Sequence, residues 1–142
     1  MPLTGDFHVL DEWQRSLDEL GSPGSLSEVS TALGHEALAL TDQAFEQERS
    51  PHGRGWAPKK RPDGRKIGQG KTGKLRDSYR LKFSSRFGFT IGSDANYRRW
   101  FHGGKKGQKT RPLSPGNSIP PRWDRAFDRV WHAHCLAKLR LR

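Results

Sequence analysis

One stretch of this chain can supply a β-sheet, and that limits the fold more than any other feature. Phe87, Phe89 and Ile91 alternate with small or polar residues, the pattern of a strand with one buried face. Gly92-Ser93-Asp94-Ala95-Asn96 follows as turn chemistry: glycine allows positive φ, and Asp and Asn bond their own backbone. Tyr97 to His102 resumes an aromatic segment, and Gly103-Gly104 ends it. Leu75 to Ser85 enters as a short strand or a helix-to-strand passage. The expectation is a three-stranded antiparallel meander over 75–102, with tight connections at Phe87-Gly88 and 93–96.

Everything before this stretch is helical or linker. Asp6 can cap a first helix, and Phe7, Leu10, Trp13, Leu17 and Leu20 form one apolar stripe at helical spacing. Gly21-Ser22-Pro23-Gly24 stops it. A second helix is expected to begin at Ser25, with Glu28 completing a capping box. Leu26, Val29, Leu33, Ala37, Leu40 and Ala44 line its apolar face. Residues 6–47 therefore form a helical hairpin, whose stripes are core or subunit-interface surface. At the other end, Pro121 suits the first turn of a closing helix over 121–139. Trp123, Phe127, Val130, Trp131 and Leu136 are expected to pack it on the sheet. Arg140 and Arg142 follow where a helix C-terminus favours cations. The fold class is α+β, in one domain.

Two basic segments separate these elements. Residues 50–74 hold eight Lys/Arg and one acid, with Trp56, Ala57 and Ile67 as the apolar residues. This composition predicts a loop or arm that is mobile in the free subunit. Trp56 is the natural anchor for docking it on a neighbour. Residues 103–118 are a second basic loop with Lys105, Lys106, Lys109 and Arg111, held extended by prolines. The charge is split along the chain. Residues 1–49 carry ten acids and two bases, and residues 50–142 carry five acids and 24 bases. Such asymmetry points to an anionic partner or to complementary packing between copies.

Catalytic and metal motifs do not assemble. Gly64 to Thr72 ends in G-K-T like a phosphate-binding loop, but Arg65 stands where the first glycine is needed, and the preceding residues are wholly polar. His132, His134 and Cys135 resemble metal ligands in print, yet helix positions two apart do not share a face. No catalytic residue, metal or cofactor is expected. Cys135 is the one cysteine, which excludes an intrachain disulfide and fits a reducing compartment. No apolar run reaches the ~18 residues of a membrane span, and the N-terminus lacks the pattern of a signal peptide.

Several short motifs fall in a characteristic order: Trp56-Ala57-Pro58, a Gly/Lys-rich run, Leu75-Arg76-Asp77-Ser78, Ile91-Gly92-Ser93 with Tyr97, His102-Gly103-Gly104, and Ile119-Pro120-Pro121-Arg122. Over roughly residues 45–127 this order resembles the phage virion morphogenesis, or tail completion, family. The resemblance implies a non-enzymatic virion protein in the neck region, assembled in the bacterial cytoplasm and joining tail to head. It implies a ring of identical copies, six if it follows the tail's symmetry. Tail terminator or tail tube proteins and head–tail connector proteins would be its neighbours. On that expectation Trp56, Tyr97, Trp100, His102, Lys105, Lys106, Arg111 and Arg122 form the partner or ring interface. Lys59, Lys60, Arg61, Arg65, Lys66 and Lys71 would face passing DNA or another anionic partner. The alternative is a basic nucleic-acid-binding module, since bases interleave with Trp56, Tyr97, Trp100 and Phe101.

Overall fold

A single long helix carries the structure. The computed structural model describes residues 8–68, 74–95 and 111–139. Helix α1 (His8–Leu20) is followed after a two-residue break by α2 (Pro23–Gln47), 25 residues long. Ser22 caps α2: its backbone is extended, and its Oγ accepts the Ser25 N–H at 3.2 Å. Pro23 sits in the first turn, where a missing N–H is harmless. The cap expected at Ser25 is therefore one turn too late. Ser25 is buried and its Oγ lies 2.8 Å from His134 Nε2, while Glu28 pairs with Lys138 at 2.9 Å. Both residues serve tertiary contacts, which local capping rules do not anticipate.

α2 ends at Glu48, whose backbone is left-handed (φ 51°, ψ 42°) and whose N–H returns to the Ala44 carbonyl. A non-glycine residue there costs about 1–2 kcal/mol. Two contacts offset it. The Glu48 carbonyl accepts the Trp56 N–H, and its Oε1 accepts the Ile67 N–H, each at 2.7 Å.

The one-turn helix α3 (Lys74–Asp77) leads into β1 (Tyr79–Ser85) and β2 (Gly88–Ser93), so of the two readings of Leu75 to Ser85 the helix-to-strand passage is the one observed. The two strands are antiparallel, in register from Tyr79↔Ser93 to Ser85↔Gly88, with an irregularity between Leu81 and Phe83. The turn is Arg86-Phe87, one residue earlier than the expected connection at Phe87-Gly88, because Gly88 pairs with Ser85 as the first residue of β2. The third strand expected after Asn96 lies outside the described residues. Leu81, Phe89 and Ile91 face α2 and the core, and the hairpin comes so close that a Cβ on Gly34 would stand 2.6 Å from Leu81. Phe87 leaves the expected buried face because it belongs to the turn.

The closing helix α4 (Pro121–Leu139) packs on α2 and α1. Two apolar clusters result, both built on α2. Phe45 and Ala44 gather Trp56, Ile67, Leu75 and Leu113, with Tyr79 and Ala95 beside them. Ala37 and Leu40 gather Trp123 and Ala126, with Phe89, Ile91 and Phe127. Trp131 and Leu136 stay exposed and do not pack on the sheet as expected. The contacts of α4 with the core are made by its first two turns, at Trp123, Ala126 and Phe127.

Candidate assembly surfaces

The basic arm is folded onto its own chain. Ser50 to Arg54 makes a tight turn, in which Ser50 N–H reaches the Arg54 carbonyl at 2.7 Å and Gly53 has φ 85°. The turn aims Trp56 into the core, edge-on to Phe45 with ring centroids 5.6 Å apart. Trp56 Nε1 donates to the Pro112 carbonyl at 3.2 Å. Arg111 answers from the other strand of this clasp, donating to the Ala57 carbonyl at 3.0 Å and to Pro58 at 3.3 Å. His52 Nε2 donates to the Pro115 carbonyl at 2.8 Å, and Leu113 is buried beneath. Trp56 and Arg111 were expected at an interface between copies. They instead join the two basic loops within one copy, because the apolar residues of the arm complete the cluster around Phe45.

Other described motif residues also make internal contacts. Leu75 is core, and Ser78 Oγ donates to the Leu75 carbonyl at 2.7 Å. Ser78 and the buried Ser93 share a hydroxyl–hydroxyl hydrogen bond, so Leu75-Arg76-Asp77-Ser78 and Ile91-Gly92-Ser93 form one seam. The turn after β2 uses Ser93, whose Oγ accepts the Ala95 N–H at 3.0 Å. Asp94 reaches back across the hairpin to Arg80 and Lys82. Pro120 is buried, its carbonyl starts α4 by accepting Asp124 N–H at 3.0 Å, and Arg122 donates to Gln47 at 3.0 Å and to Gln43.

Part of the charge asymmetry is matched internally, along α2. Arg76 forks onto Asp42, with Nε–Oδ1 2.6 Å and Nη2–Oδ2 3.0 Å, and also reaches Glu46. The Arg76 hydrogen bond holds the Asp42 carboxyl below its ordinary range, and the pairing raises the Arg76 guanidinium in turn. Lys66 bonds Glu46 at 2.6 Å, and this contact first, then Arg76, lowers the Glu46 carboxyl. Lys59 bonds the Arg65 carbonyl at 2.9 Å and Asp63 at 2.5 Å, and this last contact first, then the Arg65 N–H at 3.1 Å, lowers the Asp63 carboxyl. Lys59 and Lys66 are thus engaged at home, while Lys60, Arg61 and Arg65 are exposed. Lys71, Tyr97, Trp100, His102, Lys105 and Lys106 lie outside the described residues. Arg76, Asp42 and Glu48 were not singled out for their pairings, since their partners lie 34, 34 and 19 residues away in sequence.

Besides Trp131 and Leu136, further apolar surfaces stay open among the described residues. Leu10 and Leu17 on α1 are 61% and 51% exposed, with Trp13 beside them. Phe83 and Phe87 at the end of the hairpin are 63% and 85% exposed. A mostly apolar groove of about 870 Å³ runs along β2, lined by Phe89, Ile91, Leu113, Ile119, Trp123 and Phe127, with Lys82 and Asp94 among its polar residues. Among the described residues, no cluster of three or more His, Cys, Asp or Glu side chains could hold a metal ion. No described helix is long and apolar enough to cross a membrane.

Fold and surfaces together define an α+β chain in which most of the described motif residues make internal contacts, while several large apolar residues stay on outward faces. The phage virion morphogenesis family matches residues 6–123 of the 142, and the chain belongs to that family. Its role is in building the phage virion, as a structural or assembly protein. The matched span takes in both N-terminal helices as well as the motifs of the basic half. No curated protein and no solved structure matches the chain.

Proposed function

We propose that this protein completes the phage tail: copies form a ring at the head-proximal end of the tail and join it to the head at the neck. The observation that carries this is membership of the virion morphogenesis family over residues 6–123. The chain acts by assembly and not by catalysis. Its neighbours are further copies, six to a ring, then the tail terminator or tube on one side and the head–tail connector on the other. Exposed apolar residues at Leu10, Leu17, Phe83 and Phe87 support a subunit that buries surface only on assembly. Lys60, Arg61 and Arg65, exposed on the arm, supply a positive face that tolerates passing DNA without reading its sequence.

Electron microscopy of particles from the source phage with this reading frame deleted tests the proposal. Filled heads beside unattached tails are expected; normal joined particles would sink it. The same three exposed bases favour a second reading, a nucleic-acid-binding module. That reading requires the isolated chain to bind DNA or RNA with a steep log–log salt dependence.

A further inference from the structure

We propose that the exposed stripe of α1 is the seat for the β1–β2 turn of a second copy of this chain. The inference rests on the assembly reading only in that copies must meet. Leu10, Trp13 and Leu17 lie at i, i+3 and i+7, one continuous stripe. α1 is anchored on its neighbours along the adjoining stripe, where Ser16 and Leu20 are half-buried. The stripe on the other side is Asp11, Gln14 and Asp18, with Gln14 donating to Asp18 at 3.0 Å. Asp11 and Asp18 are thus the acids that flank the apolar stripe. The seat is therefore an apolar strip with an acidic rim.

The hairpin presents the complement. Phe83 and Phe87 project from it, and the Arg86 guanidinium lies 4.6 Å from the Phe87 ring centroid. From Tyr79 to Ser93 there are three bases and no acid, and Arg80 and Lys82 share the single carboxylate of Asp94. The tip is apolar with a basic rim. The charge split pointed to complementary packing between copies, but Lys59 and Lys66 in the arm are bonded within their own chain. The hairpin turn takes over that part. Seat and tip are different surfaces, so the contact is heterologous and propagates from copy to copy.

Sedimentation velocity on the full chain, from roughly micromolar to millimolar concentration, tests this with two variants. Arg86→Glu with Phe87→Ser removes the tip; Leu17→Ser with Asp18→Lys removes the seat. Each should weaken self-association by about tenfold or more, the scale of losing an aromatic or charged anchor. Mixed together they should form a one-to-one pair, because each supplies the face the other lacks. A parent chain that stays monomeric, a variant that associates like the parent, or a mixture that does not pair would each overturn the proposal. Circular dichroism checks the folding of both. If the seat variant unfolds, the charge-only changes Asp18→Lys and Arg86→Glu replace it: each weakens association, and the two in one chain restore it. Variants that associate like the parent sink this contact and leave the neck reading standing. Normal particles from the deletion phage sink the neck reading and leave this contact standing.

Discussion

Removing the Trp56 side chain should separate two accounts of the basic arm. If the arm orders only against a neighbour, Trp56→Ala leaves the free subunit unchanged. The structure requires the opposite. Trp56 is buried against Phe45 and ties the arm to Pro112 through its indole N–H. A tryptophan buries about 200 Å², which at ~25 cal/mol/Å² is about 5 kcal/mol of transfer free energy. The edge-to-face contact with Phe45 adds about 0.5–1.5 kcal/mol, and the hydrogen bond about 1 kcal/mol. Part of this is recovered as the site collapses, so the measured cost should be about 3–5 kcal/mol, as for other large-to-small core changes. Against a total stability of about 5–15 kcal/mol, that is a drop in Tm of roughly 10–20 °C. Urea denaturation followed by circular dichroism reads the change. Limited trypsin digestion reads the place, since Lys59 and Lys60 sit in the arm. Trp56→Phe keeps most of the packing and loses the donor, and should cost about 1–2 kcal/mol. A Trp56→Ala chain within about 0.5 kcal/mol of the parent, with the arm cut no faster, would refute the internal clasp.

Two further predictions use single contacts. Arg76→Met removes the fork on Asp42 and Glu46, whose carboxyls are held below their ordinary values in the folded state. Groups of that sign stabilise above their unfolded value and lose the contribution as pH falls through the folded one. The parent should therefore lose stability more steeply than Arg76→Met on acidification below about pH 4, and equal slopes in thermal melts would argue against the pairing. Ser78→Ala leaves the buried Ser93 hydroxyl without its cross-seam partner and should cost about 1–2 kcal/mol in urea denaturation. Ser118→Ala, at an exposed position, should stay within about 0.5 kcal/mol of the parent.

The helices and the hairpin were legible because their signals are local. The i, i+3, i+4 stripe from Val29 to Ala44 is a real buried face, and Phe89 and Ile91 do alternate into the core. The start of α2 was misplaced because Ser22-Pro23-Gly24 reads equally well as a stop for α1 and a start for α2. Arg76 sat in a recognised motif, but its role needed Asp42 and Glu46 from another helix. Trp56 was recognised as an anchor and assigned to the wrong molecule. A lone tryptophan in a polar arm signals burial, and nothing local says whose core buries it.

The sequence by itself determined the α+β class, the order of helix, hairpin and helix, the split between acidic and basic halves, and the motifs of the virion morphogenesis family. Periodicity, caps and turns act within a turn or two of chain, and motif order is a property of the chain alone. Tertiary structure decided which apolar stripe became core and which stayed outside, and that the arm closes on its own subunit. It also decided that Lys66, Arg76 and Lys138 meet the acids of α2. Burial and ion pairing depend on surfaces brought together across dozens of residues. The stripes of α1 and α2 look alike in sequence, yet the hairpin, the arm and α4 all converge on α2 and leave Leu10 and Leu17 facing outward.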